Sequence, residues 1–140
     1  MIALFDTNIV LDILLQREEF FKNSFSSVIV AEYNKYQLAI TSNAITDIYY
    51  IATKLKGKLE VKRIIEDLFT LFDIFDINEI DCINACEMKQ SRDFEDGVLI
   101  ACAQRHKVEC IITRNIKDFN ITDIKVYTPE KFLKNHKMPW

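Results

Sequence analysis

Four separated points of the chain carry acidic residues where chemistry is a better reason for them than solubility. Asp6 closes an apolar run, Ile2 to Phe5, with a charge that needs a partner wherever it is buried. Asp47 comes shortly after the run Leu38 to Thr41. Asp93, Glu95 and Asp96 crowd ahead of a helical segment, and Asn115 and Asp118 follow the run Cys110 to Thr113. If the runs are parallel strands, these groups share the edge beyond the strands' carboxyl ends, where open α/β sheets bind ligands. Carboxylates brought together repel, raising one another's pKa or destabilising the fold, and a hard divalent cation is the natural compensation. A set of oxygen donors without histidine or thiolate suits Mg²⁺ or Mn²⁺ and not zinc. Such an ion can lower the pKa of a bound water and stabilise the charge building on a phosphodiester, which is nuclease chemistry. Plainer uses stand beside this one. Aspartate in a helix's first turn caps free N–H groups and meets the positive end of the dipole, which suits Asp93 or Asp96 taken singly, and Asp118 before Phe119 suits a turn.

The elements that must position these acids are legible as alternating patterns. Five short runs are hydrophobic throughout, as strands buried on both faces are: Ile2 to Phe5, Leu38 to Thr41, Phe72 to Phe75, Cys110 to Thr113, and Lys125 to Tyr127. Helical spacing fills the intervals, for example Phe21, Phe25, Val28, Ile29 and Glu32, then Ile45, Ile48, Tyr49, Ala52 and Leu55, then Val61, Ile64, Ile65, Leu68 and Phe69. Thr7 and Asn8 are placed to cap the first helix, Gly57 to break two antiparallel helices, and Pro129 to open a last short one. The alternation predicts an α/β fold with right-handed crossovers. About 30 residues separate the first strand from the second, and the second from the third, room for two helices in each gap.

Composition narrows the function. The 140 residues are 49% hydrophobic and 28% charged, which predicts a single domain, 1–140, with a proper core. Two glycines and two prolines leave no Gly-rich phosphate loop, and two histidines (His106 and His136) leave little for a histidine base or a multi-histidine metal site. Acids outnumber Lys and Arg by 21 to 18, a net charge of −3, so any grip on nucleic acid must come from a local basic patch or a metal. Cys82, Cys86, Cys102 and Cys110 lie in the second half without a disulfide framework. No signal peptide or membrane span is evident, and a cytoplasmic setting with reduced thiols is expected.

The same residues resemble the PIN domain, in the branch typified by the VapC-like ribonuclease toxins of bacterial toxin–antitoxin modules. Leu4-Phe5-Asp6-Thr7-Asn8-Ile9-Val10-Leu11-Asp12 is similar to the family's first block, where an aspartate before Thr-Asn supplies a metal ligand. Thr46-Asp47-Ile48-Tyr49-Tyr50 resembles the second, usually built on glutamate, and Asp93-Phe94-Glu95-Asp96 the third. Ile112-Thr113-Arg114-Asn115 with Lys117-Asp118-Phe119 resembles the fourth, and Val126-Tyr127-Thr128-Pro129-Glu130-Lys131-Phe132-Leu133 the closing strand and helix. The resemblance implies a three-layer α/β sandwich around a five-stranded parallel sheet. It also implies a Mg²⁺- or Mn²⁺-dependent endoribonuclease acting on single-stranded RNA and restrained by a cognate antitoxin protein. Asp6 and Asp96 map onto the metal ligands, with Asp47 and Asp118 completing the acidic set and Asp93 better suited to capping. Thr7 is placed to orient Asp6, and Arg92, Arg114 and Lys117 to meet RNA phosphates. Two departures touch the site: Asp47 is a methylene shorter than glutamate, and Asn115 stands where aspartate is common. Gly97 replaces a common alanine.

Other features point elsewhere. Cys102, His106 and Cys110 at four-residue steps suggest a metal, but a strand beginning at Cys110 takes it off the helical face, and buried thiols are expected. Lys54, Lys56, Lys58, Lys62 and Arg63 surround Gly57, as the wet side of a helix pair, an RNA arm or an antitoxin dock. Tyr49, Tyr50 and Ile51 put bulk on more than one face of a helix, which suits contact with another chain, a dimer mate or an antitoxin helix. Asp76, at the end of the third run, admits a phosphoacceptor receiver domain as an alternative. A PIN-like domain that binds a partner without catalysis is another.

Overall fold

The computed structural model describes residues 1–88, 93–119 and 123–140, the side chain of Asp118 excepted. Five strands, β1 (Ile2–Phe5), β2 (Gln37–Thr41), β3 (Asp73–Phe75), β4 (Cys110–Ile112) and β5 (Lys125–Tyr127), form one sheet in the order β3-β2-β1-β4-β5. Every pairing is parallel, with Leu4 opposite Ala39 and Ile111, and Phe5 opposite Ile112. All five predicted strands are present within a residue or two.

Among the described residues seven α-helices cover the sheet: α1 (Thr7–Leu14), α2 (Phe21–Tyr33), α3 (Ser42–Thr53), α4 (Lys58–Leu71), α5 (Glu79–Glu87), α6 (Phe94–Arg105) and α7 (Pro129–Asn135). The two gaps of about 30 residues each hold two helices, as their length predicts. Side chains alternate across the strands and divide the core in two. Ala3, Phe5, Leu38, Ile40, Cys110 and Ile112 meet α1, α2, α3, α4 and α7 on one face. Leu4, Ala39 and Ile111 meet α6 on the other, with α5 packed against α6. These are the three layers of an α/β sandwich.

Local chemistry sets the helix ends; the expected cap of α1 is corrected, and the break expected at Gly57 falls between α3 and α4. Asp6 itself is the N-cap of α1, its carboxylate accepting the Thr7 N–H, so Thr7 and Asn8 lie inside the helix they were expected to cap. Gly57 is the N-cap of α4 at φ −68°, a conformation open to any residue, and nothing lies within 4 Å of a Cβ placed there. Where left-handed residues are needed, after α1, α2 and α6, the glycine-poor chain uses Gln16, Lys35 and Lys107. A capping box of Asn78 and Asp81 opens α5, Asp93 caps α6, and Thr128 with Pro129 opens α7.

The topology removes the receiver alternative. Sheets of that class run 2-1-3-4-5 with the third strand inside. Here β3 is an edge strand, and Asp76 beyond it pairs with Arg105 at 3.3 Å. Among the described residues no helix is long and apolar enough to cross a membrane.

Candidate active site

From β1 the chain builds outward in both directions, to β2 and β3 on one side and to β4 and β5 on the other. The crevice between β1 and β4 is therefore the switch point where α/β sheets hold ligands. Asp6 sits at its lip. Its own N–H donates to the Ile112 carbonyl at 2.9 Å, and its carboxylate accepts from the Thr7 N–H (2.8 Å), the Thr113 hydroxyl (2.8 Å) and the Asn8 amide (3.4 Å). Thr113, fully buried, also accepts the Asn115 N–H at 3.1 Å. One hydroxyl thus ties the ends of two adjacent strands together.

An open pocket of about 380 Å³ lies over this lip. Asp6, Thr7, Asn8 and Leu11 bring β1 and α1 to it, Asp47 and Tyr50 bring α3, and Asp93, Glu95 and Asp96 bring the start of α6. Asn115 reaches it from the loop after β4. Five of the six acids expected at one sheet edge (Asp6, Asp47, Asp93, Glu95 and Asp96) line this one pocket, and no Lys or Arg among the described residues does. Asp93 is exposed and accepts the Glu95 N–H at 3.1 Å as the cap of α6, whereas Asp96, half-buried, lies three residues further into the helix. Asp47 is exposed on α3. The sixth acid, Asp118, is in the 3₁₀ turn Ile116–Phe119 with its side chain outside the described residues, and Arg92 is outside them altogether.

Electrostatics single out Asp6. Burial raises its carboxyl above the ordinary value of 3.8, against the lowering effects of the Thr113 hydroxyl, the Thr7 N–H and the charge of Arg114. No Lys or Arg among the described residues forms an ion pair with it. The pocket therefore gathers carboxylates at one place, with the charge of Arg114 acting on Asp6 from outside its lining. Asn8 Oδ1, buried in its wall, has no hydrogen-bond partner among the described residues. Carboxylates and an amide oxygen make a donor set for a hard cation, so the residues fit Mg²⁺ or Mn²⁺. Among the described residues no three His, Cys, Asp or Glu side chains form a ready-made cage. Mg²⁺ asks for less, since it keeps several waters and takes one or two protein carboxylates.

The cations expected near the acids divide. Lys117 is exposed on the 3₁₀ turn. Arg114 turns inward: its Nε and Nη2 reach Asp12 at 2.9 and 3.2 Å, and its guanidinium lies 3.9 Å from the centre of the Phe20 ring. That corrects the expectation of Arg114 as a phosphate contact. Asp12, wholly buried, also accepts from Arg17 at 3.2 Å and from the Ser24 hydroxyl at 3.0 Å. Sequence reading missed this cluster and the role of Thr113; its only signal was an aspartate interrupting the apolar face of α1. A second ion pair, Asp81 with Arg105 at two distances of 2.9 Å, fastens α5 to α6 away from the pocket, and the guanidinium holds the Asp81 carboxyl below its ordinary value. Cys102 and Cys110 are buried, and burial pushes both thiols up to about 12, as inert core thiols should be.

Comparison with known proteins agrees with this architecture. Ribonuclease VapC1 of Aquifex aeolicus (strain VF5) is 28% identical over 131 residues, covering 91% of this chain and 90% of that protein. The toxin–antitoxin complex from Klebsiella pneumoniae superposes with a TM-score of 0.68 at 26% identity, over 91% of this chain and 97% of the other. VapBC2 from Rickettsia felis, bound to a DNA fragment from its promoter, superposes at 0.72 and 16% identity, over 91% and 98%. Residues 3–117 match the PIN domain, a span that takes in every described acid of the pocket. This chain belongs to the PIN-domain family.

Proposed function

We propose that the chain is an endoribonuclease that hydrolyses single-stranded RNA with the help of Mg²⁺ or Mn²⁺. In this reading it is a single domain acting in the cytoplasm as the toxin of a toxin–antitoxin pair, held in check by a cognate antitoxin protein. The observation that carries the reading is the pocket itself, where five carboxylates from three elements converge. The relative named as a ribonuclease and the toxin–antitoxin complex at 26% identity support it. PIN-domain ribonucleases generally depend on a divalent metal, which supports the choice of cofactor.

Asp6 and Asp96 would hold the ion, with Asp47 and Asp118 on its outer waters. When bound, the ion supplies a more acidic water and relief for the charge that builds on the phosphodiester. The chain's own residues do the rest. Thr113, Thr7 and Asn8 fix both oxygens of Asp6 through hydrogen bonds, so its orientation is set before substrate arrives. Asp47, exposed on α3, accepts a proton at its carboxylate as the attacking water loses it. Lys117 meets a phosphate of the bound strand.

The test is cleavage of single-stranded RNA by the purified protein in Mg²⁺ or Mn²⁺. Asp6→Asn or Asp96→Asn should abolish it with the circular dichroism spectrum unchanged, and undiminished cleavage in EDTA overturns the reading. A second reading, a PIN-like binding module with weak catalysis, draws on Asn115 in the pocket and on the lack of a ready-made cage among the described residues. Growth arrest on expression in a bacterium, relieved by Asp6→Asn, decides against it.

A further inference from the structure

One wall of the pocket carries a feature that metal binding does not explain. Along α3, Asp47, Tyr50 and Ile51 line the pocket, and Lys54 follows as the C-cap, the spacing of one helical stripe. Leu11 and Leu99 complete the apolar wall at 4% and 8% exposure, but Tyr50 stands out from it at 64%. Lys54 Nζ lies 4.2 Å from the centre of the Tyr50 ring. An aromatic ring and a cation are therefore held together about one turn of helix, about 4.5 Å of rise, from an acid of the pocket.

Electrostatics gives the pair its use. A pocket lined by five carboxylates repels a polyanion, so a nucleic-acid strand must be anchored at the rim by cations and by contacts indifferent to charge. Lys54 supplies the first and the Tyr50 ring the second, since every base has a face that stacks on an aromatic side chain. Lys58, Lys62 and Arg63 are exposed on the following helix, α4, whereas Lys56 is paired with Glu60 at 3.6 Å. In a duplex each base is already stacked on its neighbours and offers no face, so the ring can engage only an unpaired strand.

We propose that Tyr50 and Lys54 form a stacking shelf at the mouth of the acidic pocket, where Tyr50 takes the face of one unpaired base and Lys54 meets the adjoining phosphate. The shelf gives the site its preference for single-stranded over duplex RNA. It rests on the ribonuclease reading, and the experiment separates the two.

The probe is a mixed-sequence single-stranded RNA of about 12 nucleotides, with 2-aminopurine substituted at successive positions, beside a hairpin of the same composition. In Mn²⁺, Tyr50→Ala should raise KM for the single strand about 5- to 30-fold, the loss of one stacked base at an exposed site, while kcat changes less than about threefold. Tyr50→Phe, which keeps the ring, should restore most of the affinity. Lys54→Gln should raise KM by about 2- to 5-fold and flatten its dependence on salt. With Ca²⁺ in place of Mn²⁺, one 2-aminopurine position should be quenched by the wild type and recover its fluorescence with Tyr50→Ala, a signal that a purely structural tyrosine does not produce. An unchanged KM in Tyr50→Ala, or an equal rise for the hairpin, overturns the shelf and assigns the ring to a protein partner, leaving the nuclease intact. If the wild type cleaves no RNA with any divalent ion, the ribonuclease reading falls first and the shelf with it.

Discussion

Thr113→Val tests how the pocket's central carboxylate is held. The side chain is fully buried, and valine keeps its shape while removing the hydroxyl that donates to Asp6 at 2.8 Å and accepts from the Asn115 N–H at 3.1 Å. A hydrogen bond to a charged group contributes about 1.5–3 kcal/mol, and the Asn115 N–H, on an exposed residue, can turn to water. The metal-free variant should therefore lose about 2 kcal/mol at neutral pH. The pH dependence carries the diagnosis. Burial holds the Asp6 carboxyl above 3.8, so the folded protein takes up a proton more readily than the unfolded chain. Between that ordinary value and the higher folded one, wild-type stability falls as pH rises. Above the window Asp6 is ionised and relies on the hydroxyl; below it the carboxyl is protonated and the same bond is an ordinary neutral one. The stability gap between wild type and variant should be widest at neutral pH and close as Asp6 titrates. Urea denaturation in EDTA across a pH series measures this, with Thr113→Ser, which keeps the hydroxyl, as the control. Mn²⁺ titration followed by electron paramagnetic resonance should show affinity weakened about 10- to 100-fold. A loss that is the same at every pH, together with unchanged Mn²⁺ affinity, refutes the positioning argument.

Four further outcomes follow from the same geometry. Mn²⁺ at about 100 times its Kd should stabilise the protein by about 2.7 kcal/mol, a rise in Tm on the order of 10 °C for a chain of this size, reversed by EDTA. Asp6→Asn should remove that response yet raise the metal-free Tm at neutral pH, because it deletes a buried charge; a lower metal-free Tm contradicts the electrostatic account. Arg114→Met should cost about 2–4 kcal/mol in urea unfolding, because it strips the wholly buried Asp12 of one of its two cations, and a negligible change means the pair adds nothing net. Asp47→Asn should lower kcat about 10- to 100-fold with the fold and KM nearly unchanged, and full activity removes Asp47 from the mechanism.

Much of the fold was readable in advance because its three central strands are largely buried on both faces. Continuous apolar runs such as Cys110 to Ile112 have no amphipathic ambiguity, and scarce glycine and proline left the helical periods uninterrupted. The acids were readable as well, since Asp6 and Asp96 fall where strand and helix ends must deliver them. Helix starts were less so: Asp6 both caps α1 and enters the pocket, and a residue type alone does not say which task it performs. Three contacts lay beyond the sequence altogether, since each joins residues a hundred or more positions apart. They are Thr113 on Asp6, Arg114 on Asp12, and Tyr36 with His136, the last binding the end of β2's approach to the C-terminal segment at 2.9 Å.

What the sequence determined by itself is which segments become strands and helices, and that acids gather at one edge of the sheet, because periodicity and burial are written locally along the chain. What only the tertiary structure decided is which polar groups face one another: that Thr113 anchors Asp6, that Arg114 is spent on Asp12 and leaves the RNA side to other cations, and that Tyr50 stands open beside the acids. Side-chain partners depend on strand order and on the turn of each helix about its axis, and these are fixed only when the two layers of helices close on the sheet.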